Sequence, residues 1–264
     1  MKFLTILCLL CFCCLMVGAT ELSQKNNQWY QDGQSTLTSK LATVINTNTA
    51  KNVILVVSDG NGVGANYAAR VWRGQQQGGY GDDYVMAYEK FPHLALAKTY
   101  TVNAMTPDSA GTMTAMMTGI KTDQGLIGVD ETITRGSCLE EGMGQATSFA
   151  SIAKALDKKV AIVSTARLTH ATPAAVYAHA SDRDFEDDTE LPAECTQPDI
   201  AQQLITKMIS RDVDVALGGG RRHFIDQATI DEEGQAGERG DGQNLIARAR
   251  SNGIQYVWDP ATLA

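Results

Sequence analysis

From Asn52 onward the chain alternates between short apolar runs and longer stretches whose apolar positions recur at helical spacing. Asn52 to Ser58 (NVILVVS) is a continuous β-branched run, the pattern of a strand buried on both faces of a parallel sheet. Helical patterns follow from Ala65 to about Gln75 and in Tyr84 to Phe91, and a strand pattern in Leu94 to Val102. A helix is predicted from Ser109, and further helices over Ser148 to Leu156, Pro198 to Ser210 and 244–251. Strands are predicted at Val160 to Thr165, Val213 to Leu217 and 254–258. Strands alternating with helices imply an α/β fold, a mostly parallel central sheet with helices on both faces. The chain shows no internal repeat and no low-complexity linker.

Two segments stand outside this alternation. Residues 1–19 combine Lys2, an apolar run from Phe3 to Val17 and the small residues Val17-Gly18-Ala19, which reads as a signal peptide cleaved after Ala19. A transmembrane anchor is the competing reading, but the run is short for a span and no positive cluster follows it. Residues 20–51 are polar and rich in Asn, Gln and Thr, and read as an exposed N-terminal arm. Residues 52–264 carry the α/β pattern.

With 264 residues, 44% of them hydrophobic, the chain can bury a sizeable core. Its net charge of −8 argues against a general nucleic-acid or anionic-membrane binder, though not against a locally positive pocket for an anionic substrate. Four of six cysteines lie within residues 1–19; the remaining pair, Cys138 and Cys195, suggests a disulfide in an exported chain. Two buried free thiols are the other reading. A bridge closing so long a loop is worth roughly 4 kcal/mol in the chain-entropy picture.

The stretch richest in chemistry is Met105 to Gly119, MTPDSAGTMTAMMTG. A proline, an aspartate and then small residues describe a loop that turns into a buried helix, with Ser109 at its first turn. The start of a helix is an anion site, so a serine there can attack a phosphate that the same N–H groups hold. Asp108 or Ser109 acting only as a cap is the plainer alternative. Asp59 follows the first strand pattern and precedes Gly60, Gly62 and Gly64, a place where a carboxylate can bind a cation or simply make a turn. His170 and Thr172, two apart in STARLTHATPAA, share a face of an extended segment and can border a metal; a satisfied structural histidine is the competing reading. Arg183 offers a planar fork for two phosphate oxygens, or a surface ion pair. The GGGRR turn lacks the Lys-Ser of a P-loop, and the acidic segment Asp182 to Glu190 reads as a solvated loop without ligands.

Taken in order, VILVVSDGNG, TPDSAGTMTAMMTG, STARLTHATPAAVYAH with Arg183, and DVALGGGRRHF resemble the alkaline phosphatase family over nearly everything from about residue 50 onward. The resemblance implies a three-layer α/β sandwich in a secreted or periplasmic, usually homodimeric enzyme that uses zinc and magnesium to hydrolyse phosphate monoesters. It implies a nucleophilic role for Ser109 through a phosphoserine, an Asp59 bridging zinc and magnesium, and an Arg183 clamp on the phosphoryl oxygens. His170 and Thr172 would border the magnesium site, and Cys138 and Cys195 sit where many members have a disulfide. The chemistry is demanding, with accelerations up to about 10²¹-fold for monoesters, so charge has to be stabilised on both attacking and leaving oxygens. Two metals about 4 Å apart do this.

Two departures qualify the resemblance. Some members have aspartate where His170 stands, and imidazole suits transition metals better than magnesium. Most zinc ligands of the family come from the second half of a longer chain, whereas after Arg183 this sequence has one histidine, His223, in a turn that matches no ligand motif. The sequence therefore resembles the amino-terminal half of the family fold. Its alternatives are a non-catalytic, anion-binding fragment and a related metal-dependent sulfatase or phosphodiesterase.

Overall fold

The computed structural model describes residues 23–263, so the expected signal peptide, residues 1–19, lies outside the described residues. Two compact units emerge, one of residues up to 57 together with 62–95, the other of 58–61 together with 96–264.

In the first unit, helix α1 (Gln28–Leu41) lies within the polar segment where no regular element is predicted. Asn27 caps it, its side chain accepting from the Trp29 N–H at 2.9 Å, and none of its residues is buried. Helix α2 (Val63–Gln75) fulfils the helical expectation for that stretch. A 3-10 turn over Ala87–Lys90 replaces the longer helix expected there, and the Arg70 side chain is paired with Glu89. No strand forms over 52–58 or 94–102, against the sequence expectation. Val53, Ile54 and Val56 are 75, 88 and 83% exposed. Propensity makes a run able to be a strand, but only a neighbouring strand satisfies its N–H and C=O groups, and none pairs with it among the described residues.

The second unit carries the parallel sheet. Strand β1 (Ala161–Arg167) pairs in parallel with β2 (Val215–Gly219), in the register Ala161 with Val215 and Val163 with Leu217, shifting before Arg167 meets Gly219. The strand expected at 254–258 is not formed. The unit also contains α3 (Ser109–Thr118), α4 (Phe149–Ala155), α5 (Ala171–Ala174), which packs on β1, α6 (Ile200–Ile209), α7 (Leu245–Ser251) and α8 (Pro260–Leu263). Each of α4, α6 and α7 starts at a side-chain cap, Ser148, Asp199 and Asn244 respectively, within a residue or two of where the pattern predicts it.

The core positions the site. Helix α3 buries Ala110, Met113, Thr114 and Met117, and Thr114 ties it down by donating to Leu126 O and accepting from the Gly128 N–H at 2.9 Å. Leu126, Val129 and Ile133 form a buried apolar cluster with Leu139 beside it. Ile127 and Ala180 then exchange backbone hydrogen bonds of 2.8 and 2.9 Å, which fixes the strand-like stretch leading to Arg183. Cys138 and Cys195 form a disulfide across 57 residues, with a Cα separation of 5.0 Å. No described helix is long and apolar enough to cross a membrane.

Candidate active site

The capping question at α3 resolves in favour of Asp108. Its Oδ1 accepts from the Gly111 N–H at 3.0 Å, while Ser109 is the first helical residue and its hydroxyl carries no capping duty. Asp108 Oδ2 accepts from the Gly125 N–H at 3.1 Å and from Arg183 Nη1 at 3.1 Å. The same Nη1 donates to Ser109 Oγ at 3.0 Å. One guanidinium nitrogen thus joins the cap and the neighbouring hydroxyl at the positive end of a helix.

Close packing makes two glycines necessary here. A Cβ on Gly111 would stand 2.6 Å from Thr101 Cγ2, and Gly125 has φ +84° with no room beside the Arg135 side chain. Arg135 in turn grips Asp182 with two bonds of 2.9 and 3.0 Å, anchoring the residue next to Arg183.

His170 and Thr172 are not on an extended segment, as the spacing suggested. His170 is the N-cap of α5 and Thr172 lies in its first turn, with Pro173 tolerated because that turn's N–H groups lack intrahelical partners. They still converge. Thr172 Oγ1 donates to Asp59 Oδ2 at 2.8 Å, and His170 Nδ1 stands 4.0 Å from the same oxygen. Asp59 occupies a turn that follows extended chain without a strand, and it is half exposed.

Arg183 links the two halves of the site, because its Nη2 lies 3.0 Å from His170 Nε2. An arginine can only donate, so Nε2 accepts and a neutral ring carries its proton on Nδ1. Burial, with the charges of Arg183 and Arg167, holds the His170 imidazolium below the usual histidine range, which keeps the ring neutral. Nδ1 is then a buried donor without a hydrogen-bond partner, facing the Asp59 carboxylate across a gap too long for direct bonding.

Sequence reading placed these five residues in contention but missed a second group behind them. Glu186 and Asp187, assigned to a solvated loop, are 7 and 1% exposed. Glu186 is held by Arg167 at 2.6 to 3.1 Å and by Thr169 at 2.5 Å, which compensates its buried charge. His223 stands between Glu186 and Asp187. Acidic runs usually mark solvent, and the partners that pull these carboxylates inward lie far off in sequence.

The chain belongs to the alkaline phosphatase family: the family model described as alkaline phosphatase matches residues 50–264. It is 39% identical to the tissue-nonspecific alkaline phosphatase isozyme of Gallus gallus over 269 residues, covering 97% of this chain and 51% of the relative. Among solved structures it is similar to alkaline phosphatase from the Antarctic bacterium TAB5, with 28% identity and a TM-score of 0.54 over 80% of this chain and 48% of that one. Alkaline phosphatase from Thermus thermophilus matches with 25% identity and the same TM-score of 0.54, over 75% of this chain and 34% of that one. The expected α/β architecture is therefore the family's. The chain spans about half the length of the curated relatives it matches. Metal dependence belongs to the family, and the described residues contain one group of three suitable donors, Asp187, His223 and Glu238.

Proposed function

We propose that this chain supplies the nucleophile and the phosphate clamp of a phosphate-monoester hydrolase that works through a phosphoserine intermediate. The observation that carries the reading is Arg183 Nη1, bound at once to Ser109 Oγ and Asp108 Oδ2. A phosphoryl group seated at the start of α3 meets the helix N–H groups and the Arg183 fork, which bind its non-bridging oxygens. Ser109 Oγ gives up its proton to solvent and attacks phosphorus, the bond to the leaving oxygen breaks, and the leaving alkoxide takes a proton from solvent and departs as the alcohol. Water then cleaves the serine–phosphorus bond and phosphate leaves. Arg183 matters most when charge grows on the equatorial oxygens, since it is fixed in place beforehand by Asp108.

Asp59, His170 and Thr172 fit a cation. A half-exposed carboxylate and a hydroxyl converge there, and the unpartnered Nδ1–H of His170 is a donor suited to a cation-bound water or hydroxide rather than to the cation itself. Asp59 would be the direct ligand, Thr172 and His170 its border, the Nδ1–H of His170 reaching through a bound water. When bound, zinc and magnesium would lower the pKa of a coordinated oxygen nucleophile and stabilise the leaving oxygen. For two zinc ions, Asp59 and Ser109 alone make a thin donor set. That observation favours a second reading, an anion-binding unit without turnover of its own. Export through residues 1–19 to the periplasm or extracellular space agrees with the Cys138–Cys195 bridge, the family resemblance supports a homodimer, and the net charge of −8 argues against nucleic-acid partners.

The test is an assay of the purified chain with zinc and magnesium on a chromogenic phosphate monoester, a diester and a sulfate ester. Monoester turnover that Ser109→Ala abolishes supports the hydrolase. Turnover untouched by that change removes Ser109 as nucleophile. Faster diester or sulfate cleavage moves the chain to a related esterase. Absent turnover, with phosphate binding weakened by Arg183→Ala, selects the anion-binding reading.

A further inference from the structure

His223 is 2% exposed and lies in the 3-10 turn Arg221–Phe224 just after β2. Its Nδ1 is 2.6 Å from Asp187 Oδ2 and 3.4 Å from Glu238 Oε2, and its Nε2 is 3.2 Å from Glu186 Oε2. That Nε2 has no hydrogen-bond partner. An imidazole therefore stands between carboxylates on both edges.

A neutral ring cannot satisfy both sides. With the proton on Nδ1, the Nε2 lone pair faces the Glu186 carboxylate. With the proton on Nε2, that N–H faces Glu186, and the Nδ1 lone pair meets two carboxylate oxygens. The surrounding charges leave the deficit on one residue. Glu186 is compensated by Arg167, and Glu238, 47% exposed at the rim, by Arg222 at 2.9 Å. Asp187 is 1% exposed and, among the described residues, has no lysine or arginine within ion-pair distance. Its Oδ1 is used by the Thr189 backbone and hydroxyl, which leaves Oδ2 directed at His223. With the ring neutral, the Nδ1 side lacks a positive centre, which either a second proton on His223 or a bound cation supplies.

We propose that Asp187, His223 and Glu238 form a structural binding site for a zinc-like divalent cation, built from side chains other than those around Ser109. One donor atom from each lies within 4.8 Å of the others. One imidazole and two carboxylates suit zinc or a similar transition metal better than magnesium or calcium. The cation neutralises Asp187 and takes the Nδ1 lone pair. Nε2–H then points at Glu186, the carboxylate that stands behind a metal-bound histidine and fixes its tautomer. Tetrahedral bonds of about 2.0 to 2.2 Å require the Nδ1 to Oδ2 contact to open by about 0.7 Å or more, and water completes the shell at the exposed Glu238 edge. The cation would join three separate segments, the chain four residues beyond Arg183, the turn after β2 and the loop leading to α7.

The experiment uses the whole chain carrying Asp59→Ala and His170→Ala, which removes the donors near Ser109. Calorimetric titration with zinc should still find about one ion per chain, and cobalt substitution should give visible absorption bands. Adding Glu238→Gln, an exposed and isosteric change, should weaken zinc binding at least tenfold while the metal-free melting curve stays in place. Glu186→Gln should weaken it about 10- to 100-fold through the ring. The proposal is overturned if the background chain binds no zinc, or if Glu238→Gln leaves its affinity unchanged. It is also overturned if nitrogen NMR shows both His223 nitrogens protonated with zinc present, which would make a proton the missing positive centre.

Discussion

Arg183 Nη1 donates to Ser109 Oγ at 3.0 Å, so the hydroxyl at the head of α3 is oriented by a cation rather than spent on capping its own helix. Replacing Arg183 by lysine keeps the charge but loses the fork that also reaches Asp108 and His170. In a phosphatase assay we expect kcat/KM to fall about 100-fold or more, the cost of losing one preorganised donor to a developing oxyanion. Inhibition by inorganic phosphate should weaken in parallel. Equal inhibition constants for the two proteins would show that Arg183 does not hold the anion.

Asp108 has two duties that substitutions can separate. Asp108→Asn retains an oxygen that can accept from Gly111 but removes the charge that holds Arg183. Asp108→Ala removes both. Urea unfolding should therefore find Asp108→Ala about 1 kcal/mol less stable than Asp108→Asn, the usual worth of an N-cap. Both variants should lose phosphate affinity. Identical stabilities would mean that the cap contributes nothing here.

Much of this corner was legible in the sequence for a local reason. Pro107, Asp108 and the small residues after Ser109 encode a helix start within a few positions, and side-chain caps stand at the starts of α4, α6 and α7, within a residue or two of where the pattern predicts them. Asn52 to Ser58 shows the limit of that logic, because its β-branched run reports propensity while pairing is a property of distant chain. His223 and Asp187 fail the same way: 36 residues separate them, and nothing in an acidic stretch or a glycine-rich turn announces that the two will meet. Thr172 and His170 stand together, but a helix start rather than the extended segment expected from their spacing brings both toward Asp59.

Gly111 offers a sharper packing test. Its missing side chain lets Thr101, 3% exposed, bring Cγ2 to a point 2.6 Å from where a Cβ would be. Gly111→Ala should cost about 1 to 3 kcal/mol, the range for overpacking a filled core. Thr101→Ser removes the clashing methyl and keeps the hydroxyl that bonds Ala104 O. The double variant should recover most of the loss in a denaturation cycle. No recovery would place the strain instead against Asp123 O, the next contact at 3.2 Å.

The Cys138–Cys195 bridge closes a loop of 57 residues. By loop-closure entropy, Cys138→Ala with Cys195→Ala should lower stability by about 4 kcal/mol. Non-reducing mass spectrometry of the unmodified chain should find no alkylatable thiol at either position. Two free thiols there would remove the bridge and its stabilisation together.

Asp214 gives the stability its acid limb. It sits immediately before β2, accepts from the Val160 N–H at 2.9 Å, and faces Lys154 at 3.1 Å and Lys159 at 3.3 Å. The backbone hydrogen bond first, then the two lysines, push its carboxyl down to about 2 from an ordinary 3.8. A carboxyl depressed in the folded state binds its proton later there than in the unfolded chain, so its stabilisation is complete above about pH 4 and disappears as pH falls toward about 2. Asp214→Asn should therefore be less stable than the unaltered chain near neutral pH, and the gap should close through that acid window. Urea midpoints taken across the window measure it. A gap that stays constant down to the lowest pH would mean that the loss comes from packing between the starts of β1 and β2 rather than from the charge of Asp214.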